Sequence, residues 1–444
     1  MRGGRTRQSA CAFSPGVAKC HPLAGYNDRA VTTAPDLSSE TAGEHALVQR
    51  FWLLVVAGPD AGATLTSSSD RTVIGTYDTC DLVLRDSTVS RFHCEMGTLA
   101  GRPFLRDLGS LNGTTVNGVG IVAAHLVSGA TIGLGRTQIR FDVGAESLKL
   151  ALSARTRFGG LAGRSPAMRR AFALLERAAA TDQTVVLEGE PGTGRRTAAA
   201  AVHAESARRD GPFVAVDCSA VTGERLEAEL FGTLDGRAGA FEAARGGTLY
   251  LGEIADVPLE LQPRLLRALE RKESTRLGAV APTPIDVRVV AGTHRALRTE
   301  VNAKRFRSDL YFRLCAQEVR LPPLRERDGD VPVLIADLTE RWLGKERAPA
   351  VVDVLAEHLG RLEARDFPGN VAELAAALAR ALEAVPGPRA AAAELPLQVG
   401  LAWHLRAEEK RWAAALLARY GDEDSAARAG GIDRLHLRRL LTGR

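Results

Sequence analysis

Residues 184–204, TVVLEGEPGTGRRTAAAAVHA, limit the fold of this chain more than any other stretch. An apolar run leads directly into a loop carrying Gly189, Gly192 and Gly194, and the loop opens an alanine-rich helical stretch. A strand apolar on both faces needs cover on both sides, which a parallel sheet with helical crossovers supplies. Glycines between such a strand and its helix let backbone N–H groups turn inward and cradle phosphates at the helix N-terminus. PFVAVDC, GTLYLGE and DVRVVAGT repeat the apolar texture and alternate with helical stretches at 198–207 and 259–270. An α/β core is therefore expected from about residue 155 to 325.

At 444 residues the chain is too long for one core, so a multidomain protein is expected. Residues 1–46 mix Gly, Ser, Thr, Pro and charge without periodicity and read as a flexible leader. Between 47 and 146, short β-type runs (FWLLVVAG, RTVIG, DLVL, FHCEM, TQIRFDV) recur between turn residues, the pattern of an all-β sandwich. From 326 to 386 the strand runs stop and amphipathic helices remain, as in a helical lid. Residues 387–399 are a Pro/Gly/Ala-rich linker, and 400–444 are helical again. With 58 basic against 53 acidic residues, net charge excludes nothing and any nucleic-acid contact must be local. The six cysteines form no CxxC pair, which fits reduced thiols in a cytosolic protein. The longest apolar run, 51–57, is far short of a bilayer span, and Arg2, Arg5 and Arg7 precede no apolar segment. A cytoplasmic protein with no membrane partner is expected.

VSRFHCE, followed by DLGSLNGTTVNG, resembles the forkhead-associated domain. The resemblance implies a sandwich of eleven strands whose apical loops grip a phosphothreonine peptide. A dianionic phosphate needs hydroxyl, amide and cationic donors converging from loops on a rigid scaffold. Ser90 and Arg91 match the phosphate-gripping loop, and Asn112 matches the residue that fixes the peptide main chain. His93 and Gly113 match positions that shape those loops. Thr76 follows Gly75 where many family members carry a phosphate-binding arginine; Arg71, Arg85 and Arg91 are the candidates to compensate.

Beyond the glycine loop, PFVAVDCSA, ELFG, GGTLYLGEI, LQPRLLRALE, RFRSDLYFRL, LPPLRERDGDVP and FPGNVAEL resemble, in order, the central AAA+ domain of sigma-54-dependent activators, the bacterial enhancer-binding proteins. The resemblance implies a hexameric or heptameric ring that spends ATP to remodel a promoter-bound polymerase. It places nucleotide on Gly189, Gly192, Thr193, Gly194, Arg195 and Arg196. It makes Glu253 the water-activating residue, with Arg307 and Arg313 as fingers that reach a neighbour's γ-phosphate. The departures fall on catalytic positions. Arg195 stands at the P-loop lysine, and a planar guanidinium lacks the compact shape of an ammonium. Gly252 replaces the magnesium-holding aspartate, His294 and Asp217 replace asparagines, and Ala372 replaces the lid arginine. The family's GAFTGA contact loop is missing, and Gly239-Ala240-Phe241 aligns with the segment before the next strand. ATP binding is expected, magnesium coordination is in question, and hydrolysis and sigma-54 contact are expected to be impaired.

LARYGDEDSAARAGGIDRLHLRRLL resembles the Fis-type helix-turn-helix, a small all-α module whose second helix would present Arg434, His436, Arg438 and Arg439 to DNA. Nine Lys/Arg against six Asp/Glu from residue 401 onward is a modest excess, so a dimer or higher homo-oligomer is implied. The combined expectation is a DNA-binding regulator acting at an upstream activating sequence, gated by a phosphothreonine-containing partner. Two alternatives stand: an active ATPase that drives sigma-54 RNA polymerase, and a phosphopeptide-binding scaffold without DNA function.

Overall fold

The computed structural model describes residues 45–99, 101–220, 223–234, 236, 238–344 and 366–384, together with Leu417 and Asp422. Residues 1–44 of the leader, the whole linker and the four DNA-contact candidates Arg434, His436, Arg438 and Arg439 lie outside the described residues, while His45 and Ala46, read as the end of the leader, open β1.

Eleven strands form the N-terminal part: β1 (His45–Ala57), β2 (Thr64–Thr66), β3 (Arg71–Gly75), β4 (Leu82–Val83), β5 (Cys94–Leu99), β6 (Arg102–Asp107), β7 (Thr114–Val116), β8 (Val119–Ile121), β9 (Ala123–His125), β10 (Thr131–Leu134) and β11 (Thr137–Ala151). They lie in two sheets, ordered β2-β1-β11-β10-β7-β8 and β4-β3-β5-β6-β9. Inward-facing Leu53, Val55, Ile74, Met96, Ile132 and Phe141 alternate with outward residues and close the core between the sheets. β1 and β11 run past the sandwich as a paired ribbon, with His45 opposite Ala151 beyond a register shift between Gln49 and Phe51.

Buried Asp86 holds the apical loops of this domain. It accepts from the Thr88 amide (2.9 Å) and hydroxyl (2.7 Å), the Arg136 amide (3.1 Å) and the Thr137 hydroxyl (2.9 Å). The Thr88 hydroxyl foremost, against the opposing effect of burial, brings its carboxyl down to about 2. Asp86→Asn swaps an acceptor for a donor facing those N–H and O–H groups and will cost about 2 kcal/mol at neutral pH. A carboxyl depressed on folding stabilises above its unfolded value of about 4 and loses that contribution as pH falls toward 2. The penalty read by urea unfolding will therefore shrink between pH 6 and about 3.

After a two-strand ribbon, β12 (Arg157–Phe158) and β13 (Leu161–Ala162), the chain enters α1 (Pro166–Ala179). Ser165 caps this helix by accepting from the Met168 amide (3.3 Å), with Pro166 in the first turn. The second core is built from β14 (Val185–Glu188), α2 (Arg195–Ala204), β15 (Phe213–Asp217), α3 (Gly223–Phe231), α4 (Ala240–Ala243), β16 (Thr248–Gly252), α5 (Gln262–Arg271), β17 (Glu273–Ser274), β18 (Thr283–Pro284), β19 (Arg288–Thr293), α6 (Leu297–Asn302), α7 (Ser308–Leu314) and β20 (Gln317–Arg320). Its five parallel strands run in the order β15-β16-β19-β14-β20, the buried sheet expected from their continuous apolar runs. α2 begins at Arg195, three residues earlier than the alanine pattern alone suggests, because left-handed Gly194 (φ 98°) starts the helix at the loop itself.

Among the described residues two further helices, α8 (Asp330–Leu343) and α9 (Asn370–Ala384), pack through Leu334, Ile335, Leu374 and Leu378. Buried Asp330 accepts from the amides of Arg164 (2.7 Å) and Ser165 (2.8 Å) and ties the start of α8 to the start of α1. Among the described residues no helix is long and apolar enough to cross a membrane.

Candidate functional site: the phosphate-binding loop and the loops that flank it

The C-terminal ends of β14, β16 and β19 converge on the glycine loop. Gly192 has φ 79°, and a Cβ there would lie 2.1 Å from the Gly369 carbonyl oxygen, so only glycine lets loop and lid meet. Loop geometry is held from outside. Thr193 Oγ donates to the Glu190 carbonyl (2.7 Å), Asn370 donates to the Pro191 carbonyl (2.9 Å), and buried Arg327 donates to the Thr193 carbonyl (3.1 Å). Arg325 makes two hydrogen bonds to Glu190 (2.6 and 2.8 Å). Asn370, Arg325 and Arg327 sit within FPGNVAEL and LPPLRERDGDVP, but their role as a clamp on the loop depends on contacts across 134 to 179 residues. Ala372 lies against Gly192, where its methyl group offers nothing to a phosphate.

Arg195 is 94% buried and turns toward Glu253 rather than into the loop. Its Nη2 donates to Glu253 Oε1 (2.5 Å) and its Nη1 to Oε2 (3.2 Å), a forked ion pair. His294 closes the same carboxylate from the other side through Nδ1 (2.6 Å) and its backbone N–H (3.2 Å), both to Oε2. Burial would push the Glu253 carboxyl up; Arg195 and then His294 outweigh it and hold the carboxyl below the ordinary range. Glu253 is also left-handed (φ 50°), a strained conformation for a non-glycine residue. Both oxygens of Glu253 are thus engaged. Asp217 does not reach Glu253; it accepts from Ser219 N (3.0 Å) and Oγ (2.7 Å). Arg196 is exposed on the first turn of α2.

The donor set does not fit a magnesium ion. Gly252 brings no carboxylate, Arg196 brings a cation, and Glu253 is neutralised by Arg195. Among the described residues no group of three or more His, Cys, Asp or Glu gathers as a metal site.

Arg307 and Arg313 lie on opposite ends of α7. Arg307 pairs with Asp309 (2.7 Å), and Arg313 donates to the Leu269 carbonyl (2.8 Å). Gly239 caps α4, whose Phe241 is fully buried and stacked on Phe231 at 5.5 Å between ring centroids. The Gly-Ala-Phe triplet is core, as its alignment with the segment before β16 implies.

In the β-domain, a Cβ on Gly75 would meet the Arg91 carbonyl at 2.0 Å, so the first apical loop packs directly on the second. The Thr76 amide donates to the Ser90 carbonyl (3.1 Å), Ser90 Oγ accepts from the Leu111 amide (2.9 Å), and Asn112 Nδ2 donates to the Thr88 carbonyl (2.7 Å). Thr76, Ser90 and Asn112 thereby share one rim with exposed Arg91. His93 is buried and accepts from the Ser90 amide at Nδ1 (3.0 Å), with Nε2 facing the Gly113 carbonyl (3.1 Å). Burial keeps the ring neutral, which lets one nitrogen accept while the other donates. Of the compensating arginines, Arg71 is spent elsewhere, while Arg85 and Arg91 remain exposed.

Arg71 enters the α/β domain. It donates to Glu95 (2.7 Å) and lies 3.3 Å from Glu318 and 3.6 Å from Glu188, the last residue of β14. Arg298 pairs with Glu318 (2.8 Å). Beside it, Phe92 stacks on Tyr77 (5.3 Å) and meets Tyr311 (5.1 Å) and Phe312 of α7, while Asn302 donates to the carbonyls of Phe92 (2.5 Å) and Leu108 (2.9 Å). No local pattern in the sequence marks this junction, since its partners stand up to 247 residues apart.

Two buried carboxyls facing each other titrate apart. Burial pushes Glu188 up to about 7, whereas Arg71 and Arg298 overcome burial at Glu318 and hold it low. A carboxyl raised on folding stabilises below its unfolded value of about 4.3 and loses that contribution as pH rises through 7. Glu188→Gln stays neutral, so its melting temperature will exceed that of the wild type by a few degrees at pH 8, roughly the effect of 1 kcal/mol, and match it near pH 5. Thermal unfolding across that range checks this.

The strand order, the glycine loop at a helix N-terminus and the helical lid define a P-loop α/β domain of the AAA+ class. Residues 161–320 match the family described as the sigma-54 interaction domain, and 325–408 the AAA+ ATPase lid domain. Residues 54–144 match a family described as the cytoplasmic domain of an inner membrane component of the type III secretion system. The transcriptional regulatory protein ZraR of Klebsiella oxytoca is 38% identical over 302 residues, 62% of this chain and 67% of that protein. The DNA-binding transcriptional regulator NtrC of Azospirillum brasilense is 46% identical over 222 residues, 48% of this chain and 46% of that protein. A structure solved in a study of phosphothreonine-dependent FHA domain interactions is 29% identical over 21% of this chain and 97% of its own, with a TM-score of 0.20. The chain belongs to the sigma-54 interaction domain family. It spans about half to two thirds of the length of the curated relatives it matches.

Proposed function

We propose that this protein is a DNA-binding transcriptional regulator of the sigma-54 enhancer-binding type, gated by a phosphothreonine peptide, whose AAA+ domain binds ATP but turns it over poorly. The observation that carries the impaired-motor reading is the closure of Glu253 by Arg195 and His294, because a carboxylate with both oxygens engaged cannot orient a water for attack. Burial of Phe241 against Phe231 supports the loss of the sigma-54 contact. Gating has a physical route. Phe92 follows Arg91 of the gripping loop and packs on α7, which carries the fingers Arg307 and Arg313. DNA binding is assigned to Arg434, His436, Arg438 and Arg439, and assembly to a dimer or hexameric ring.

The test is steady-state ATP hydrolysis by the full chain alongside nucleotide binding. Binding is expected, with wild type and Glu253→Gln sharing one background rate. Wild-type turnover that Glu253→Gln abolishes would return the chain to the active ATPases that drive sigma-54 polymerase. Retention on promoter-region DNA that weakens as salt rises separates the regulator from a phosphopeptide scaffold. At the β-domain, Ser90→Ala and Arg91→Ala will each weaken binding of a phosphothreonine peptide pool about tenfold, measured by fluorescence polarisation against the unphosphorylated pool.

A further inference from the structure

Three changes at the nucleotide site bear on metal and phosphate: Gly252 removes a carboxylate, Arg195 puts a guanidinium at the lysine position, and Arg196 sets a second beside it, while Ala372 and Asp217 run the other way. Polyphosphate carries several negative charges that a P-loop enzyme ordinarily meets with one lysine, a helix N-terminus and a divalent ion. Here the carboxylate at 252 is gone. Tyr250, two residues earlier on β16, fills the space over Gly292, where its hydroxyl lies 2.2 Å from the Cβ that residue lacks. Glu253 is neutralised by a buried guanidinium and capped by His294, and Glu190 within the loop is paired with Arg325. Cationic groups accumulate instead. Arg195 and Arg196 both stand on the first turn of α2, and Arg327 lies under the loop, bonded to the Thr193 carbonyl.

We propose that this chain binds adenine nucleotide without a divalent cation, Arg195 exchanging Glu253 for the β-phosphate and so supplying charge that a metal supplies elsewhere. The inference deepens the reading that the site binds nucleotide, and rests on it. A guanidinium suits this exchange, since its planar fork matches two oxygens of a carboxylate or of a phosphate equally well. Glu253 then acts as a resting counter-ion that keeps a buried arginine paired while the loop is empty; an unpaired one would be costly there. His294 keeps that carboxylate in place after the guanidinium leaves. Ligand binding consequently competes with the Arg195–Glu253 pair. Weakening the pair tightens nucleotide, which would not follow if Glu253 acted with a metal.

Isothermal titration of the full chain with ATP and with ADP, each in excess EDTA and in excess MgCl2, tests this. Affinities in the two media are expected to agree within about threefold, and Glu253→Gln is expected to tighten ADP in EDTA by about fivefold or more, since each factor of ten is only 1.4 kcal/mol. Arg195→Ala is expected to abolish binding in EDTA while thermal unfolding shows the chain folded. Binding in MgCl2 that weakens more than tenfold in EDTA overturns the inference and leaves the nucleotide reading standing. Absence of binding in both media overturns both. Unchanged or weaker ADP binding by Glu253→Gln in EDTA overturns the exchange of partners.

Discussion

Replacing Arg195 by lysine and Gly252 by aspartate together will raise ATP turnover in magnesium by about 100-fold or more over the wild-type protein, since a few kcal/mol of transition-state stabilisation is worth that much. The gain comes through Glu253. In the wild type its two oxygens are held by a forked guanidinium and a histidine. Lysine offers a single compact ammonium on a flexible stem and releases one oxygen. Aspartate at 252 is sterically acceptable: its Cβ would meet a Tyr250 ring carbon at 3.3 Å and the Val216 carbonyl at 3.5 Å, contacts that small shifts relieve. Either change alone will do little, because residues acting as one unit are strongly non-additive. Adding Glu253→Gln to the restored chain will abolish the gain. A restored protein no faster than wild type, yet still binding ATP, would show that His294, Asp217 or Ala372 is the barrier.

Arg71→Ala will destabilise the chain by about 3–5 kcal/mol, because it strands Glu95, Glu188 and Glu318 around an empty buried position. Arg71 is the cation that β3 inserts into the α/β domain, and Glu188 stands one residue before the glycine loop. Loss of the pair will show in urea unfolding as a separate early transition for the junction, and in faster proteolysis between β11 and β12. Combining Arg71→Met with Glu95→Gln will recover part of the loss, since an apolar stem and a neutral amide replace the shortest of the broken ion pairs while Arg298 still pairs with Glu318. Arg71→Ala that melts with the wild type would mean that Arg298 alone satisfies Glu318.

Much of the fold was legible. Alternating runs between 47 and 146 specify a two-sheet sandwich because period two puts every second side chain inside. Continuous apolar runs specify a parallel sheet for the converse reason. The glycine loop was legible because its spacing lies in one short stretch, and Ser90, Arg91 and Asn112, read from two separate short motifs, share one rim in the fold. The clamp by Asn370, Arg325 and Arg327 was not, since each is an ordinary polar residue until folding carries it to the loop. Arg71 shows the same limit in reverse: by sequence it stood beside Arg85 and Arg91 as a phosphate ligand, and folding spends it on Glu95 and Glu318.

Local pattern and spacing, then, determined the element types of the β-sandwich, the α/β core and the lid, their order, and the presence of arginine at 195 and glycine at 252. Tertiary structure alone decided what those substitutions do. Arg195 meets Glu253 across 58 residues, Glu253 meets His294 across 41, and Phe92 meets Asn302 across 210. The physical reason is that periodicity records which side of an element a residue faces, whereas an ion pair in a buried site is chosen by desolvation. A charge taken from water must take the partner the fold brings within reach.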